Sequence, residues 1–423
     1  MNILVVGAGG REHAICWALR KSPRVERLYC APGNGGIAGI AECVDIKATD
    51  IDGIVGFVKN NPIHFVMVAP DDPLALGLVD ALENAGIRAF GPRKNAAIIE
   101  ASKVFSKSLM KKYGIPTAEY EVFSDLDKAV AYIHEKGAPI VIKADGLALG
   151  KGVVVAQDTN TAIDAVKSMM LDKKFGDSGL SVVIEEFLTG PEVTVLAFTD
   201  GKTVVPMLSS QDHKRVNDYD EGPNTGGMGA IVPSPNYTPE VAEACMNMIF
   251  LPTIEAMKNE GRVFKGVIYF GLMLTQKGPR VIEYNARFGD PETQPLLSML
   301  ETDILDIFEA VVDERLADIN IKWHPGAACC VVMASGGYPG NYEKGYEISG
   351  LDAVPAGITV FHAGTTFSNG RYLTGGGRVL GVTAIADTLQ SAVRRAYEGV
   401  TVIKFEKAHY RTDIGQASGD NGS

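Results

Sequence analysis

Apolar and polar positions in the first hundred residues predict strands that alternate with amphipathic helices. Apolar runs at residues 3–6 and 65–69 and a short strand predicted at 25–30 each end at a turn rich in glycine or proline, and a helical stretch follows each turn. The last of these helices is predicted as one unbroken element over residues 74–85. Strands that alternate with helices indicate a parallel sheet covered on both faces. The N-terminal part of the chain is therefore predicted to be an α/β domain.

Beyond about residue 102 the pattern changes to helices mixed with mainly antiparallel strands. A basic amphipathic helix is predicted at 103–113, and strands at 139–143 and 153–156 are joined by a glycine-rich loop. Further strands are predicted at 182–186, 192–198, 203–208, 266–275 and 280–285, with a helix at 239–259. Polar and glycine-rich residues over 209–229 are predicted to form a long loop, and loops of that length are usually functional. This part of the chain is predicted to be an α+β domain.

A third segment begins near residue 327. An apolar run at 327–334 predicts a buried strand, and the rest is rich in glycine, with short strands and one late helix at 388–400. These changes of pattern predict three domains. The domains are predicted at 1–101, 102–326 and 327–423.

Composition narrows the class of protein without indicating a site. The chain has 423 residues, of which 46% are hydrophobic and 22% charged, as in soluble globular proteins. With 40 basic and 51 acidic residues its net charge is -11, which argues against general binding to nucleic acids or membranes. Six cysteines show no zinc or disulfide spacing, and no apolar run reaches the roughly 18 residues of a membrane span. A cytosolic protein is therefore predicted.

The first candidate phosphate loop lies between the first strand and the first helix. Glycines at residues 7, 9 and 10 precede Arg11, and backbone N–H groups at such a turn can approach an anion. A dinucleotide fingerprint would need a third glycine at Glu12, which is absent. The alternative, that these glycines only form a tight turn, stays open.

The second candidate is the loop over residues 146–152, which Lys143 and Lys151 bracket. Its glycine spacing and the strand that follows it do not match a Walker A loop. A glycine-rich hairpin between two strands can fold over a triphosphate, with Lys143 reaching from the strand. An ordinary flexible hairpin is the alternative.

A candidate metal strand precedes a loop rich in charged residues. Glu283 and Asn285 alternate with Tyr284, so both should point to one face, about 7 Å apart. Two oxygen ligands at that separation can bridge magnesium ions on ATP phosphates. A solvated strand end is the alternative. His213, in the polar segment, suggests either a general base or a structural hydrogen-bonding residue.

Several of these segments together resemble the signatures of glycinamide ribonucleotide synthetases, a family of ATP-grasp ligases. The matching segments are residues 9–13, 32–34, 143–147, 150–152, 211–215, 222–229, 287–292, 362–365 and 375–379. The segment 287–292 is highly specific, and the likeness spans residues 1 to about 415. The resemblance implies ligation of glycine to 5-phosphoribosylamine at the expense of ATP, with Mg²⁺ or Mn²⁺, by a cytoplasmic monomer.

The resemblance also implies the place of each domain and site. It implies an N-terminal domain for phosphoribosylamine, a two-lobed ATP-grasp domain with a mobile lid over about 120–187, and a C-terminal domain that closes the cleft. The implied ATP site comprises Lys103, Lys143, Gly150, Lys151, Gly152, Glu185, Glu186, Phe187, Leu188 and Glu192. The implied phosphoribosylamine site comprises Gly9, Gly10, Arg11, Gly33, Asn34 and Asp71. The implied metal ligands are Glu283 and Asn285, and the implied catalytic and glycine-binding residues are Arg287, Asp290, Asp212 and Lys214.

The chain departs from the family pattern at three places. Asp71 stands where the family usually has glutamate, and Pro191 stands where it usually has glutamate before Glu192. The strand at 267–274 carries no carboxylate, although many other ATP-grasp enzymes supply a metal ligand there. Three other functions are weighed as alternatives: a different ATP-grasp ligase, a nicotinamide-dependent dehydrogenase and a nucleotide sensor without catalysis.

Overall fold

The computed structural model describes residues 1–147, 152–171 and 181–416. Its N-terminal unit is a five-stranded parallel sheet of order β3-β2-β1-β4-β5. The strands are β1 (Asn2–Gly7), β2 (Arg27–Pro32), β3 (Glu42–Cys43), β4 (Phe65–Val68) and β5 (Ala89–Phe90). The helices are α1 (Gly10–Arg20), α2 (Ile51–Asn60), α3 (Asp71–Leu76), α4 (Leu78–Asn84) and α5 (Lys94–Ala101). On β1, Leu4 packs in the core that contains Ile54 of α2, and Ile3 packs in the core that contains Ile15 of α1. Both faces of the sheet are buried, as predicted.

The helix predicted over 74–85 is broken in the structure, so that prediction was wrong. Gly77 has a φ of +99° and separates α3 from α4. Its N–H donates to the carbonyls of Pro73 and Leu74, which ends α3. Glycine adopts this left-handed conformation without the steric cost that a Cβ imposes.

A second, smaller unit follows the N-terminal sheet. It begins after α6 (Lys103–Tyr113) and comprises β6 (Tyr120–Phe123), α7 (Leu126–Lys136), β7 (Ile140–Ala144), β8 (Val153–Ala156), α8 (Thr159–Met170) and β9 (Val182–Glu186). The four strands form an antiparallel sheet of order β6-β9-β7-β8. Ile133 of α7 and Val166 of α8 pack with Ile142 and Ile184 in one core. The helix α7 was not anticipated from the sequence.

The largest sheet has nine antiparallel strands, eight of them in the order β16-β15-β10-β11-β14-β17-β22-β19, with β23 beside β17. Its first half and nearby elements are β10 (Glu192–Thr199), β11 (Val204–Asp212), β12 (Arg215–Asn217), β13 (Glu221–Asn224), β14 (Gly229–Val232), α9 (Pro239–Cys245), α10 (Leu251–Asn259), β15 (Gly266–Thr275), β16 (Gly278–Asn285), α11 (Thr293–Met299) and α12 (Ile304–Val312). A π-helical turn over Met246–Phe250 joins α9 to α10, so the helix predicted at 239–259 is confirmed.

The C-terminal segment continues this same sheet. Its elements are β17 (Ala327–Ser335), β18 (Glu347–Ile348), β19 (Ile358–His362), β20 (Thr365–Ser368), β21 (Arg371–Thr374), β22 (Arg378–Ala386), α13 (Leu389–Val402) and β23 (Ala408–His409). The pairing of β14 with β17 joins the two halves. The buried strand predicted at 327–334 is confirmed as β17. The prediction of short strands in the rest of the segment was wrong for β22, which has nine residues. The late helix is confirmed as α13.

The prediction of one long loop over 209–229 was also wrong. Ser209 to Asp212 complete β11, the hairpin of β12 and β13 follows, and Gly229 begins β14. Gln211 pairs with Ile231 on β14. The backbone N–H and C=O groups of this polar segment are therefore hydrogen-bonded within the sheet, whereas the polar sequence had suggested that they face solvent. The α/β and α+β fold class is nevertheless confirmed. In the described ranges no helix is long and apolar enough to cross a membrane.

Candidate active site

Lysines from two elements meet where the small sheet approaches the large one. Lys143 of β7 donates from Nζ to the carbonyl of Ile282 on β16, at 2.9 Å, and lies 3.0 Å from Oε1 of Glu185 on β9. Lys103, at the start of α6, donates to the carbonyl of Gly146 at 2.9 Å. These contacts place two of the lysines predicted to bind ATP on the same side of the cleft between the sheets.

Sequence reasoning missed a third lysine in this cluster. Lys107 lies one turn after Lys103 on α6, and its Nζ is 3.0 Å from Oε2 of Glu185 and 2.7 Å from Oγ1 of Thr117. The side chains of Lys107 and Glu185 are only 2% and 4% exposed. Burial lowers the pKa of Lys107 to about 8, although Glu185 acts in the opposite direction. Residues four apart share one face of a helix, so the spacing from Lys103 was the available signal.

Glu283 faces this lysine cluster from the large sheet. Its Oε1 lies 3.7 Å from Nζ of Lys214, which also contacts Oε2 of Glu192 at 3.1 Å. Desolvation would raise the pKa of Glu283, but Lys214, Lys143 and Lys103 hold it below its usual value. Desolvation would likewise lower the pKa of Lys214, but Glu192 and Glu283 raise it well above the usual value. The structure therefore brings together three cations around one carboxylate.

The two predicted metal ligands, Glu283 and Asn285, suit a divalent cation whose other ligands are phosphate oxygens. Glu283 and Asn285 are partly exposed, whereas Tyr284 between them is buried. Gly271 on β15 pairs with Glu283, and a Cβ there would lie 3.0 Å from Cγ of Glu283, so β15 supplies no carboxylate at this point. Among the described residues no three His, Cys, Asp or Glu side chains group as a metal site. Mg²⁺ held by one or two protein oxygens and by substrate phosphates needs no more.

Arg287, just after the metal strand, is held by an acid from the N-terminal unit. Its Nη2 lies 2.9 Å from Oε1 of Glu100 on α5 and donates to Oδ1 of Asn285 at 3.3 Å. Its Nη1 donates to the carbonyl of Phe288. Oε2 of Glu100 accepts the N–H of Ala286 at 2.7 Å. Glu100, which sequence reasoning missed, thus fixes the guanidinium of Arg287.

Asp290 lies three residues further along the same loop and is linked to the C-terminal segment. Its Oδ2 lies 3.3 Å from Nη2 of Arg378, and its Oδ1 accepts from Nε2 of Gln294 at 2.8 Å. Arg378 also donates to the carbonyls of Asp290 and Gly226, at 2.7 and 2.5 Å. Desolvation would raise the pKa of Asp290, but Arg378 and Arg11 hold it below its usual value. Arg378 lies in one of the matching motifs, yet the sequence alone did not indicate this bridge.

Asp212, at the end of β11, is partly exposed and lies beside the buried Glu292. Its Oδ1 is buried and makes no hydrogen bond within the described part of the chain. A Cβ on Gly227 would lie 2.7 Å from this oxygen, so glycine is required there. Burial, and then the Glu292 carboxylate, raise the pKa of Asp212 well above its usual value. A carboxyl oxygen without a hydrogen-bond partner among the described residues, beside a second carboxyl group, favours a cationic ligand.

The predicted phosphate loop at the start of α1 is partly filled by protein groups. Nε of Arg11 pairs with Oε1 of Glu12 at 2.6 Å, and its Nη1 donates to the carbonyl of Phe288 at 3.2 Å. Oε2 of Glu12 accepts the N–H of Gly9 at 2.5 Å. A Cβ on Gly10 would lie 2.6 Å from Nε2 of Gln294, so the loop packs closely on α11. Arg11 points into the protein rather than outward from the loop.

We expect Arg11→Ala to lower the free energy of unfolding by about 2 kcal/mol, because it leaves the buried Glu12 carboxylate without its cation. The exposed Arg20 on the same helix is the matched control, and Arg20→Ala should change stability by less than about 0.5 kcal/mol. Urea unfolding of both variants measures the difference. Equal stability of the two variants would mean that the Arg11–Glu12 pair contributes nothing.

The other residues predicted to bind phosphoribosylamine line the same edge of the parallel sheet. Nδ2 of Asn34 donates to the carbonyls of Ala8 and His362, at 2.8 and 2.9 Å. Its Oδ1 accepts the N–H groups of Gly36 and Ile37. The Asn34 amide is therefore used to join the N-terminal unit to the C-terminal segment.

Gly33 and Asp71 complete this edge. Gly33 has a φ of +74°, and a Cβ there would lie 2.4 Å from Sγ of Cys43. Asp71 is the first residue of α3. Desolvation raises the pKa of Glu100, and the negative charge of the nearby Asp71 raises it further. Asp71 is thus close to the acid that holds Arg287.

The linker between the two sheets contains the residues predicted to meet adenine. Oε1 of Glu186 accepts the N–H of Glu119 at 3.0 Å, and Phe187 and Leu188 are half-buried. Across the glycine-rich hairpin, the carbonyl of Gly152 accepts the N–H of Ala144 at 2.9 Å. Gly150 and Lys151 lie outside the described residues.

His213 makes structural contacts with both ring nitrogens. Its Nδ1 lies 3.3 Å from the carbonyl of Gly229, and its Nε2 accepts the N–H of Gly415 at 3.3 Å. Burial lowers its pKa. Of the two readings of His213, the structure favours the structural one.

Comparison with known proteins identifies the family. Profiles of phosphoribosylglycinamide synthetase match residues 1–100 (N domain), 101–293 (ATP-grasp domain) and 328–417 (C domain). A phosphoribosylamine–glycine ligase of Halalkalibacterium halodurans is 49% identical over 98% of this chain and 96% of that protein. One from Vibrio parahaemolyticus is 48% identical over 98% of both.

Solved structures agree with this assignment. The crystal structure of phosphoribosylamine–glycine ligase from Thermotoga maritima has a TM-score of 0.86 and 33% identity, covering 98% of this chain and all of that one. Biotin carboxylase from Campylobacter jejuni, at 13% identity and a TM-score of 0.75, covers 97% of this chain and 92% of its own, and shares the fold alone. With three matched domains and near-complete coverage by its relatives, the chain belongs to the phosphoribosylglycinamide synthetase family.

Proposed function

We propose that the chain is an ATP-dependent ligase that joins glycine to 5-phosphoribosylamine in purine biosynthesis. The products are glycinamide ribonucleotide, ADP and phosphate. The observation that carries the proposal is the convergence of Lys103, Lys143 and Lys214 on Glu283, between two sheets of a chain from this family. Such a group of cations around a carboxylate suits a triphosphate together with its metal ion.

The chemistry requires activation of a carboxylate. Glycine does not condense with an amine at neutral pH, because oxide is a poor leaving group. Transfer of the ATP γ-phosphoryl group to the glycine carboxylate gives a glycyl phosphate, and the amine of phosphoribosylamine then displaces phosphate. For such transfers the protein contributes mainly position and charge stabilisation. Lys103 and Lys143 would neutralise the charge that develops on the phosphates.

Glycine has no side chain, so its recognition must rest on its two charged groups. Arg287 would bind the carboxylate with its Nε, which is buried without a hydrogen-bond partner among the described residues, while Glu100 holds its Nη2. The ammonium would be bound by Asp212, whose Oδ1 is buried without a hydrogen bond among the described residues. Asp290 and Glu292 add negative charge at the same pocket.

Phosphoribosylamine would enter from the N-terminal unit, which we assign to residues 1–101. Gly9, Gly10 and Gly33 would line this site at the edge where β1 and β2 end, where they pack closely against Glu12, Gln294 and Cys43. Asn34 would shape this edge through its four hydrogen bonds. Arg11 would lie near the ribose phosphate, either held in its pair with Glu12 or turned outward toward the phosphate. Asp71 would lie beside the sugar.

The central unit over 102–326 would bind the nucleotide, with the part over about 120–187 as its mobile lid. That part has its own antiparallel sheet and core, which are separate from those of the large sheet. Glu185, Glu192 and the backbone of 186–188 would contact the nucleoside, together with the predicted residues of the glycine-rich hairpin. The C-terminal unit over 327–423 would close the cleft, as Arg378 reaches into it.

Glu283 and Asn285 would hold Mg²⁺ or Mn²⁺ together with the ATP phosphates. When bound, the ion would neutralise phosphate charge. Lys214 would keep Glu283 ionised, because it raises the preference of that carboxyl for its charged form. The cytoplasmic location, the monomeric state and the lack of nucleic-acid and membrane partners predicted from the sequence remain part of this proposal.

The test is release of ADP with defined substrates. We expect ADP formation, followed with a coupled assay, to require both glycine and chemically generated phosphoribosylamine, and to stop when the divalent cation is chelated. Reactions that lack one substrate at a time are the controls. ADP formation with bicarbonate in place of glycine would instead indicate a carboxylase, and an absorbance change with NAD(P) would indicate a dehydrogenase.

A further inference from the structure

Three charged side chains form a buried row beneath the predicted nucleotide site. Nζ of Lys107 lies 3.0 Å from one carboxylate oxygen of Glu185, and Nζ of Lys143 lies 3.0 Å from the other. All three side chains are almost fully buried. Lys143 is the end of the row nearer to Glu283, because it donates to the carbonyl of Ile282 and helps to hold the pKa of Glu283 below its usual value. Lys107 is at the far end and has no role in the proposed reaction.

We propose that Lys107 is a positioning residue that gives the nucleotide site a net positive charge. By binding one oxygen of Glu185, Lys107 leaves the charge of Lys143 available to the phosphates of ATP. This inference rests on the proposed function to the extent that Lys143 contacts ATP.

The net charge of the row decides how strongly it attracts an anion, because its surroundings are weakly polarisable. Lys143 and Glu185 by themselves would form a neutral pair, and a neutral pair attracts a triphosphate poorly. With Lys107 the row carries one net positive charge. Charges buried near one another interact several times more strongly than charges in water. A residue that never touches the ligand can therefore change its affinity.

Lys107 is well placed for this role and has few other partners. It also donates to Oγ1 of Thr117, which in turn donates to the carbonyl of Val281 on β16. Its Nζ lies 5.5 Å from the centre of the Tyr120 ring. The charged groups that influence it are Glu185 and Glu186 on β9 and Lys143 on β7.

A purely structural role is the alternative, since Lys107 links α6 to both sheets. The two roles differ in their dependence on pH. Burial brings the pKa of Lys107 to about 8. The row should therefore lose its net charge as pH rises through that value, and nucleotide affinity should fall with it. A structural link through an arginine would not titrate, because arginine stays protonated.

The experiment measures binding of a non-hydrolysable ATP analogue with Mg²⁺ by calorimetry, without glycine. The full chain is compared with Lys107→Arg and Lys107→Met at about pH 7 and about pH 9. We expect the unmodified chain to lose affinity about tenfold between the two values, and Lys107→Arg to lose less than about twofold. Lys107→Met should bind about tenfold more weakly than the unmodified chain at the lower pH.

Lys111→Met is the matched control. Lys111 lies one turn further on α6 and its Nζ is 5.6 Å from the same Tyr120 ring, but it is exposed and lacks Glu185 as a partner. This variant should bind as the unmodified chain does.

An equal fall in affinity for Lys107→Arg and the unmodified chain would overturn the inference, as would full affinity of Lys107→Met. If Lys107→Met does not fold, the pH dependence of binding by the unmodified chain and by Lys107→Arg still distinguishes the proposed role from a structural one. Failure of the proposed function is a separate outcome, in which the unmodified chain neither binds the analogue nor releases ADP.

Discussion

Glu283→Gln is expected to lower kcat/KM for ATP by about three orders of magnitude, or roughly 4 kcal/mol of transition-state stabilisation. Glutamine keeps the size of the side chain and loses its charge. That charge faces Lys214, Lys143 and Lys103, and it is also the only carboxylate among the two proposed metal ligands. Its loss would weaken metal binding and leave the three lysines without their common partner.

The fold should tolerate this change, because Glu283 is about one-third exposed and Nζ of Lys214 lies 3.7 Å from its Oε1. Thermal unfolding should therefore stay close to that of the unmodified chain. Glu255→Gln, at an exposed carboxylate on α10, is the control and should retain full activity. Normal turnover by Glu283→Gln at limiting Mg²⁺ would show that the metal lies elsewhere.

Arg287→Ala is expected to raise the KM for glycine by about a hundredfold or more, because a buried charge-assisted pair contributes roughly 2–5 kcal/mol to binding. Arg287→Lys should raise it about tenfold, since the charge remains but the planar fork is lost. Binding of an ATP analogue measured without glycine should change little. Alanine and serine should be poor substrates if the pocket beside Arg287 accommodates only glycine.

Arg280→Ala provides the matched control for Arg287. Arg280 lies on β16, the strand that precedes Arg287, and also donates to a backbone carbonyl, that of Thr117 at 2.8 Å. Its loss should leave the KM for glycine unchanged. If Arg287→Ala abolished binding of the nucleotide analogue and left the KM for glycine unaltered, Arg287 would belong to the phosphate site instead.

Most strands and helices of the fold were predictable because their signals are local. The parallel sheet followed from apolar runs alternating with helices, and the shared face of Glu283 and Asn285 followed from the two-residue period of a strand. The predictions of secondary structure were wrong where a single residue, or a strand distant in the sequence, decides which element forms. Gly77 breaks a helix whose periodicity looked continuous, and β14 gives the polar end of β11 a partner.

The sequence by itself determined the fold class, the family motifs and most of the polar residues around the cleft. Only the tertiary structure decided which charges meet: Glu185 with Lys107, Glu100 with Arg287, and Asp290 with Arg378. These partners are far apart in the chain, and any acid in a sequence is as plausible a partner as any other. Pairing depends on the packing of sheets and helices, since buried charges are stable only beside a partner. For that reason the sequence indicated the chemistry of the site, and the fold assigned its contacts.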